Sequence, residues 1–121
     1  MNEMEQKART ILPLTEATFF VLASLVEPRH GYGIMQNVAA VSAKRTSLGP
    51  GTLYGALTNL VKSGLIVRTG EQEMEGERRK VYALTALGRR VLALETERLS
   101  SLAEIGTNAL SALPEEKKSE E

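Results

Sequence analysis

The sequence has no cysteine, no tryptophan and no aspartate, and it has a single histidine, His30. Without cysteine there is neither a disulfide framework nor a thiolate metal site, and the chain is compatible with a reducing cytoplasm. One histidine with no cysteine or aspartate beside it has no companion set for zinc. No serine or carboxylate pattern supports a catalytic constellation, so no metal, cofactor or catalytic residue is expected, and no enzyme activity. His30 reads instead as a loop residue that hydrogen-bonds backbone or lines a site. No apolar run approaches the ~20 residues needed to span a bilayer. Met1 to Arg9 is polar and lacks the apolar core of a signal peptide. The expectation is a cytoplasmic protein with no membrane partner.

Net charge is absent too: fifteen lysines and arginines balance fifteen acidic residues. The distribution carries more information than the sum. Ten cations but only four carboxylates (Glu71, Glu73, Glu75 and Glu77) lie between Arg29 and Arg90. The remaining acid sits towards the two ends. A basic middle between acidic flanks fits a module that faces a polyanion, although an ordinary solvated surface would also produce it.

What is present is an ordinary globular allotment: 121 residues, 42% of them hydrophobic, enough for one domain with one core. Residues 1–13 read as an arm or weak helix. A helix is expected from Leu14 to Val26, capped by Thr15, with Phe19, Leu22 and Val26 at helical spacing. Residues 27–31 break it. A second helix runs from Tyr32 to about Lys44, with Ile34, Val38 and Val41 on one face. Residues 46–49 turn, and a third helix runs from Pro50 to Ser63. Proline is tolerated at a first helical position, where its missing N–H has no partner, and Gly64 supplies the C-terminal cap. The period then becomes strand-like at Leu65–Arg68 and again at Val81–Leu84, around a polar loop from Thr69 to Lys80. Thr85 caps a last helix from Ala86 to about Leu113, and residues 114–121 form a charged tail expected to be disordered. The predicted fold is mainly α with a small β-hairpin. Residues 14–85 form a winged helix-turn-helix DNA-binding domain and residues 86–113 a long C-terminal dimerisation helix.

In that arrangement the helix from Pro50 to Ser63 enters the major groove. Gly51 lets the backbone approach a phosphate at the helix N-terminus. Thr52 and Tyr54 bring hydroxyls, while Asn59 and Lys62 lie further along. Tyr54 could alternatively be a core aromatic with its hydroxyl at the rim. Arg78, Arg79 and Lys80 cannot all be buried, so they face solvent or DNA backbone and minor groove. Along the last helix Leu87, Val91, Leu94, Leu99, Leu102 and Ile105 form an apolar stripe that calls for a second copy of the chain.

These segments resemble the PadR family. The likeness lies in His30-Gly31-Tyr32-Gly33-Ile34, in Leu48 to Leu57 (LGPGTLYGAL), in Gly64-Leu65-Ile66 and in Arg78 to Gly88 (RRKVYALTALG), four motifs in order over about residues 12–88. The resemblance implies a DNA-binding repressor that dimerises through its C-terminal helix, of the short subgroup with one such helix. It adds Tyr32 to the candidate DNA contacts. It also implies release from double-stranded DNA by a small aromatic or apolar effector in some members. One departure is Gly49, where the family usually has a serine cap; glycine costs only a few tenths of a kcal/mol there. The leading expectation is therefore a homodimeric, sequence-specific regulator, a repressor at a palindromic operator. The alternatives are a winged-helix protein-interaction module, or a ligand sensor whose output is DNA release.

Overall fold

The computed structural model describes residues 2–115. The expected tail, residues 114–121, lies outside the described residues from 116 onward. The order of elements is α1 (Glu3–Ile11), α2 (Glu16–Ser24), β1 (Arg29–His30), α3 (Gly31–Val41), α4 (Pro50–Lys62), β2 (Ile66–Met74), β3 (Glu77–Leu84) and α5 (Ala86–Ser111). It is a mainly helical fold with one small antiparallel sheet, in the strand order β1-β3-β2.

The helix starts follow from local chemistry. Thr15, His30 and Thr85 each stand in extended backbone, and each side chain accepts a hydrogen bond from the N–H three residues on. Gly64 ends α4 at φ +78°. Its N–H bonds the Val61 carbonyl and that of Leu65 bonds the Leu60 carbonyl, a Schellman cap. Thr85 locks this end to the next helix: its hydroxyl donates to the Gly64 carbonyl at 2.6 Å and accepts from the Gly88 N–H at 3.0 Å. Leu22 of α2 and Leu25 just after it, Ile34 of α3, Leu53 and Leu57 of α4 and Val91 of α5 meet in a single core. Two of its polar members are satisfied. Ser24 donates to the Phe20 carbonyl and accepts from Asn37. The Glu95 carboxylate accepts from the Leu14 N–H at 2.7 Å and from Arg98 at 2.5 and 3.0 Å.

Two features differ from the sequence expectation, and a third decides between alternatives it left open. Of the two readings of residues 1–13, arm or weak helix, the structure has the helix, capped by Asn2. It packs on α5, where Ala8 is buried and Glu5 meets Arg90 in a two-bonded ion pair at 2.5 and 2.7 Å. The break before α3 contains a third strand, β1, paired with β3 through Arg29↔Tyr82 and His30↔Val81. Finally, most of the expected polar loop 69–80 is strand. The hairpin pairs out to Met74↔Glu77 and turns on two residues, Glu75 and Gly76, both at positive φ. A two-residue turn with both φ positive matches the right-handed twist of the flanking strands, so the ladder runs through the polar segment although Met74 is the one apolar residue in it.

The apolar stripe of α5 is also corrected. Val91 and Leu94 are buried in the chain's own core and Leu87 is half-buried against it. They belong to the first three turns of α5, which pack on α1, α2 and β3. Leu99, Leu102 and Ile105 are exposed, together with Leu110 and Leu113. Only this distal half is available to a second copy.

Candidate nucleic-acid interface

Helix α4 is held by Leu53, Leu57 and Leu60, which are buried on one side. At about 100° per residue, the line opposite that face runs through Gly51, Gly55, Thr58 and Lys62. Tyr54 lies on the flank towards the hairpin, and Thr52 and Asn59 on the other flank. All seven are exposed. The N-terminus is bare: Gly49 makes no side-chain cap and Pro50 occupies the first turn. The first intrahelical bond is from the Leu53 N–H to the Gly49 carbonyl. The N–H groups of Gly51 and Thr52 precede it and point outward, as first-turn donors do. A Cβ added at Gly49, Gly51 or Gly55 would meet nothing within 4 Å. The chain's own packing therefore gives no reason for these glycines, and what they leave clear is space in front of the helix.

Tyr54 is half-exposed, which excludes the core reading. Its hydroxyl lies across α3: a Cβ built on Gly31 would sit 2.8 Å from it. Beside it Tyr32, also half-exposed, stacks on His30 with ring centroids 6.5 Å apart and planes 6° from parallel. The Arg79 guanidinium covers the Tyr32 ring 5.5 Å from its centre, a cation–π contact. His30 is thus both the cap of α3, through Nδ1 accepting from the Gly33 N–H, and the base of this stack. Tyr32, Tyr54, Arg78, Arg79 and Lys80 line one cleft of about 480 Å³ between α3, α4 and the hairpin. Lys62 and Lys80 meet at a second cleft, of about 270 Å³, with Arg68. Thr52 and Asn59 stand on the far flank of α4 and belong to neither group.

The three adjacent cations do not share a face. Residues paired across a ladder point the same way, so Arg78 and Lys80 lie with Glu73 and Glu71, while Arg79 lies with Gln72 on the other side. Residues that the sequence reading left out are Arg68, Gly31, Gly55 and the stacking role of His30. Gly55 was legible from its spacing to Gly51, Thr58 and Lys62. Arg68 depends on strand pairing, which no local pattern announces.

Three helices, a hairpin and a long closing helix define a winged helix-turn-helix protein. The model of the transcriptional regulator PadR-like family matches residues 21–94. The chain belongs to that family, whose members are transcriptional regulators rather than enzymes. Its fold is similar to that of a PadR family transcription regulator from Clostridium difficile, with a TM-score of 0.67 and 22% identity over 79% of this chain and 99% of that one. It is also similar to a PadR family transcriptional regulator from Eggerthella lenta, with a TM-score of 0.64 and 23% identity over 89% and 88% of the two chains. At these identities the likeness speaks to fold alone. An uncharacterized 37.1 kDa protein in transposon TN4556 of Streptomyces fradiae is 37% identical over 102 residues, covering 84% of this chain and 27% of that protein. The chain thus spans about a quarter of that relative's length. No helix among the described residues is long and apolar enough to cross a membrane.

Proposed function

We propose that the chain is a cytoplasmic, sequence-specific DNA-binding repressor that works as a homodimer on a palindromic operator. The observation that carries this reading is the outward face of α4. Its uncapped N-terminus and its Gly51–Gly55 line are open, and Tyr32, Tyr54 and the hairpin's Arg78, Arg79 and Lys80 stand beside it. Helix N-terminal N–H groups and Tyr54 suit phosphate, Thr52 and Asn59 suit base edges on the far flank, and the hairpin suits backbone or minor groove. Two copies joined through Leu99, Leu102 and Ile105 would present two such helices to successive major grooves, roughly 34 Å apart. A polar exposed face on α4 disfavours the protein-docking alternative. An apolar cleft of about 650 Å³ between Leu25, Pro28, Leu84 and Leu92 favours a second, compatible reading in which a small aromatic or apolar effector tunes DNA release.

The test is selection from a pool of random-sequence duplexes. The expected product is an inverted repeat with half-sites about one helical turn apart, bound far more tightly than a scrambled duplex. A pool that shows no enrichment with folded protein would sink the reading.

A further inference from the structure

The hairpin carries a β-bulge at Thr69: Arg68 pairs with Tyr82, yet Gly70 already pairs with Val81. In a regular strand, residues three apart point to opposite faces. The extra residue cancels one alternation, so Arg68 and Glu71 emerge on the same face, a usual consequence of a bulge. Glu71 lies directly across from Lys80, and therefore diagonal to Arg78 on that face. The outcome is a single carboxylate between two guanidiniums. Glu71 Oε1 accepts from Arg68 at 2.5 Å, and Oε2 accepts from Arg78 at 3.4 Å. The two arginines come from different strands, and Arg68 also lines the cleft against α4.

We propose that Glu71 is a specificity-determining residue of the wing: it occupies Arg68 and Arg78 in the free protein as an internal competitor of DNA phosphate. This rests on the DNA-binding reading above. A phosphate that approaches one of the guanidiniums during loose, non-specific binding meets the Glu71 charge a few ångströms away, and most of the attraction cancels. Only a fully docked wing, with a phosphate for each guanidinium, replaces both ion pairs at once and turns the carboxylate out to water. Glu71 thus penalises partial engagement more than complete engagement. Non-specific affinity, which is almost wholly electrostatic, falls more than operator affinity does.

The experiment compares wild type with Glu71→Gln, which keeps the side chain's length, and with Glu71→Thr, a strand former that maintains the hairpin should glutamine not. The control is Glu75→Gln at the turn, which removes the same charge from a residue that forms no ion pair among the described residues. Affinity is measured over a salt series for a mixed-sequence 24-base-pair duplex and for the duplex selected with wild-type protein. An exposed ion pair is worth a few-fold at most, so loss of two should tighten binding to the mixed-sequence duplex by about 2- to 30-fold at low salt. The slope of log affinity against log salt should steepen by about 1 to 2 units, since each phosphate contact contributes about 0.9. The ratio of selected to mixed-sequence affinity should fall. No gain on the mixed-sequence duplex, an undiminished ratio, or an equal gain from Glu75→Gln overturns the role of Glu71 while wild type still binds DNA. A folded wild-type protein that binds neither duplex overturns the DNA-binding reading, and this proposal with it.

Discussion

Gly88 and Gly31 both stand where another group occupies the place of a Cβ, but the obstacles differ in kind. At Gly88 the obstacle is backbone: a Cβ would lie 1.9 Å from the Leu65 carbonyl oxygen, between the end of α4 and the first turn of α5. That oxygen accepts from the Thr85 N–H and cannot swing aside without parting the two elements. Gly88→Ala is expected to destabilise by on the order of 3 kcal/mol, read as a lowered urea midpoint; a variant within a few tenths of wild type would mean that α5 does not seat there. At Gly31 the obstacle is the tip of a side chain, the Tyr54 hydroxyl at 2.8 Å. The ring can move, so Gly31→Ala should leave the melting temperature within a few degrees and displace Tyr54 from its place beside the hairpin. The expected loss in duplex affinity is about one hydrogen bond, roughly 1 kcal/mol or fivefold in Kd. A large fall in melting temperature with affinity unchanged would make Tyr54 a packing residue after all.

Helix α4 and the hairpin hold five of the ten cations that the sequence places in its middle, Lys62, Arg68, Arg78, Arg79 and Lys80, and the hairpin also holds all four carboxylates of that stretch. Arg78, Arg79 and Lys80 divide between two faces, with Arg79 over Tyr32 and Lys80 towards α4. Both faces border a cleft beside the helix, so all three are expected to meet the backbone of one duplex. Replacing the three with alanine should weaken binding to every sequence and flatten the salt slope by about 2 to 3 units; an unchanged slope would remove the hairpin from the interface. How far these elements were legible follows from how local their causes are. The starts of α2 and α5 and the cap at Gly64 rest on side chains within three or four residues, and they were read correctly from Thr15, Thr85 and Gly64. The α4 face was legible for the same reason. The outer hairpin was not, because its strands have no apolar alternation; the signal was the Glu75-Gly76 pair, weaker than an Asn-Gly turn. Helix α1 and strand β1 exist through partners far along the chain, Arg90 and Tyr82. Local periodicity contains nothing of either contact.

At the scale of the whole molecule, α5 has two halves with different obligations, and the boundary between them is the Glu95–Arg98 pair. Glu95 is buried, and its carboxyl is held below the ordinary value of 4.5 first by the Arg98 guanidinium and then by the Leu14 N–H. Glu5 at the α1–α5 junction is lowered likewise, chiefly by Arg90. Both folded values lie below the unfolded ones, so the unfolded chain takes up protons first. The stability these groups contribute is complete above about pH 4.5 and is lost as pH falls through their folded values. Glu95→Ala should therefore cost about 1–3 kcal/mol at neutral pH, by leaving the Leu14 N–H and Arg98 without their acceptor, and should reduce the drop in melting temperature between about pH 5 and pH 3. An acid limb of the same depth in the variant would place the titrating contact elsewhere. Before Glu95, the helix completes the chain's own core. Beyond Arg98 it has no fully buried residue: Leu99 borders a cleft with Phe19 and Phe20, and Leu102, Ile105 and Leu110 stand exposed on a helix whose 26 residues span about 39 Å, with Leu113 exposed just past its end. A cut after Arg98 separates the two obligations, because it spares Glu95, Arg98 and every buried residue of α5. The truncated chain is expected to keep its helical circular dichroism and most of its melting temperature, and to sediment as a monomer where the full chain sediments as a dimer. Because two linked heads make the second contact intramolecular, its affinity for the full operator should fall about 100-fold or more, while that for a single half-site changes little. A truncated chain that still sedimented as a dimer would move the interface off the distal helix. A monomer that held the full site as tightly as the intact chain would show that one head is enough.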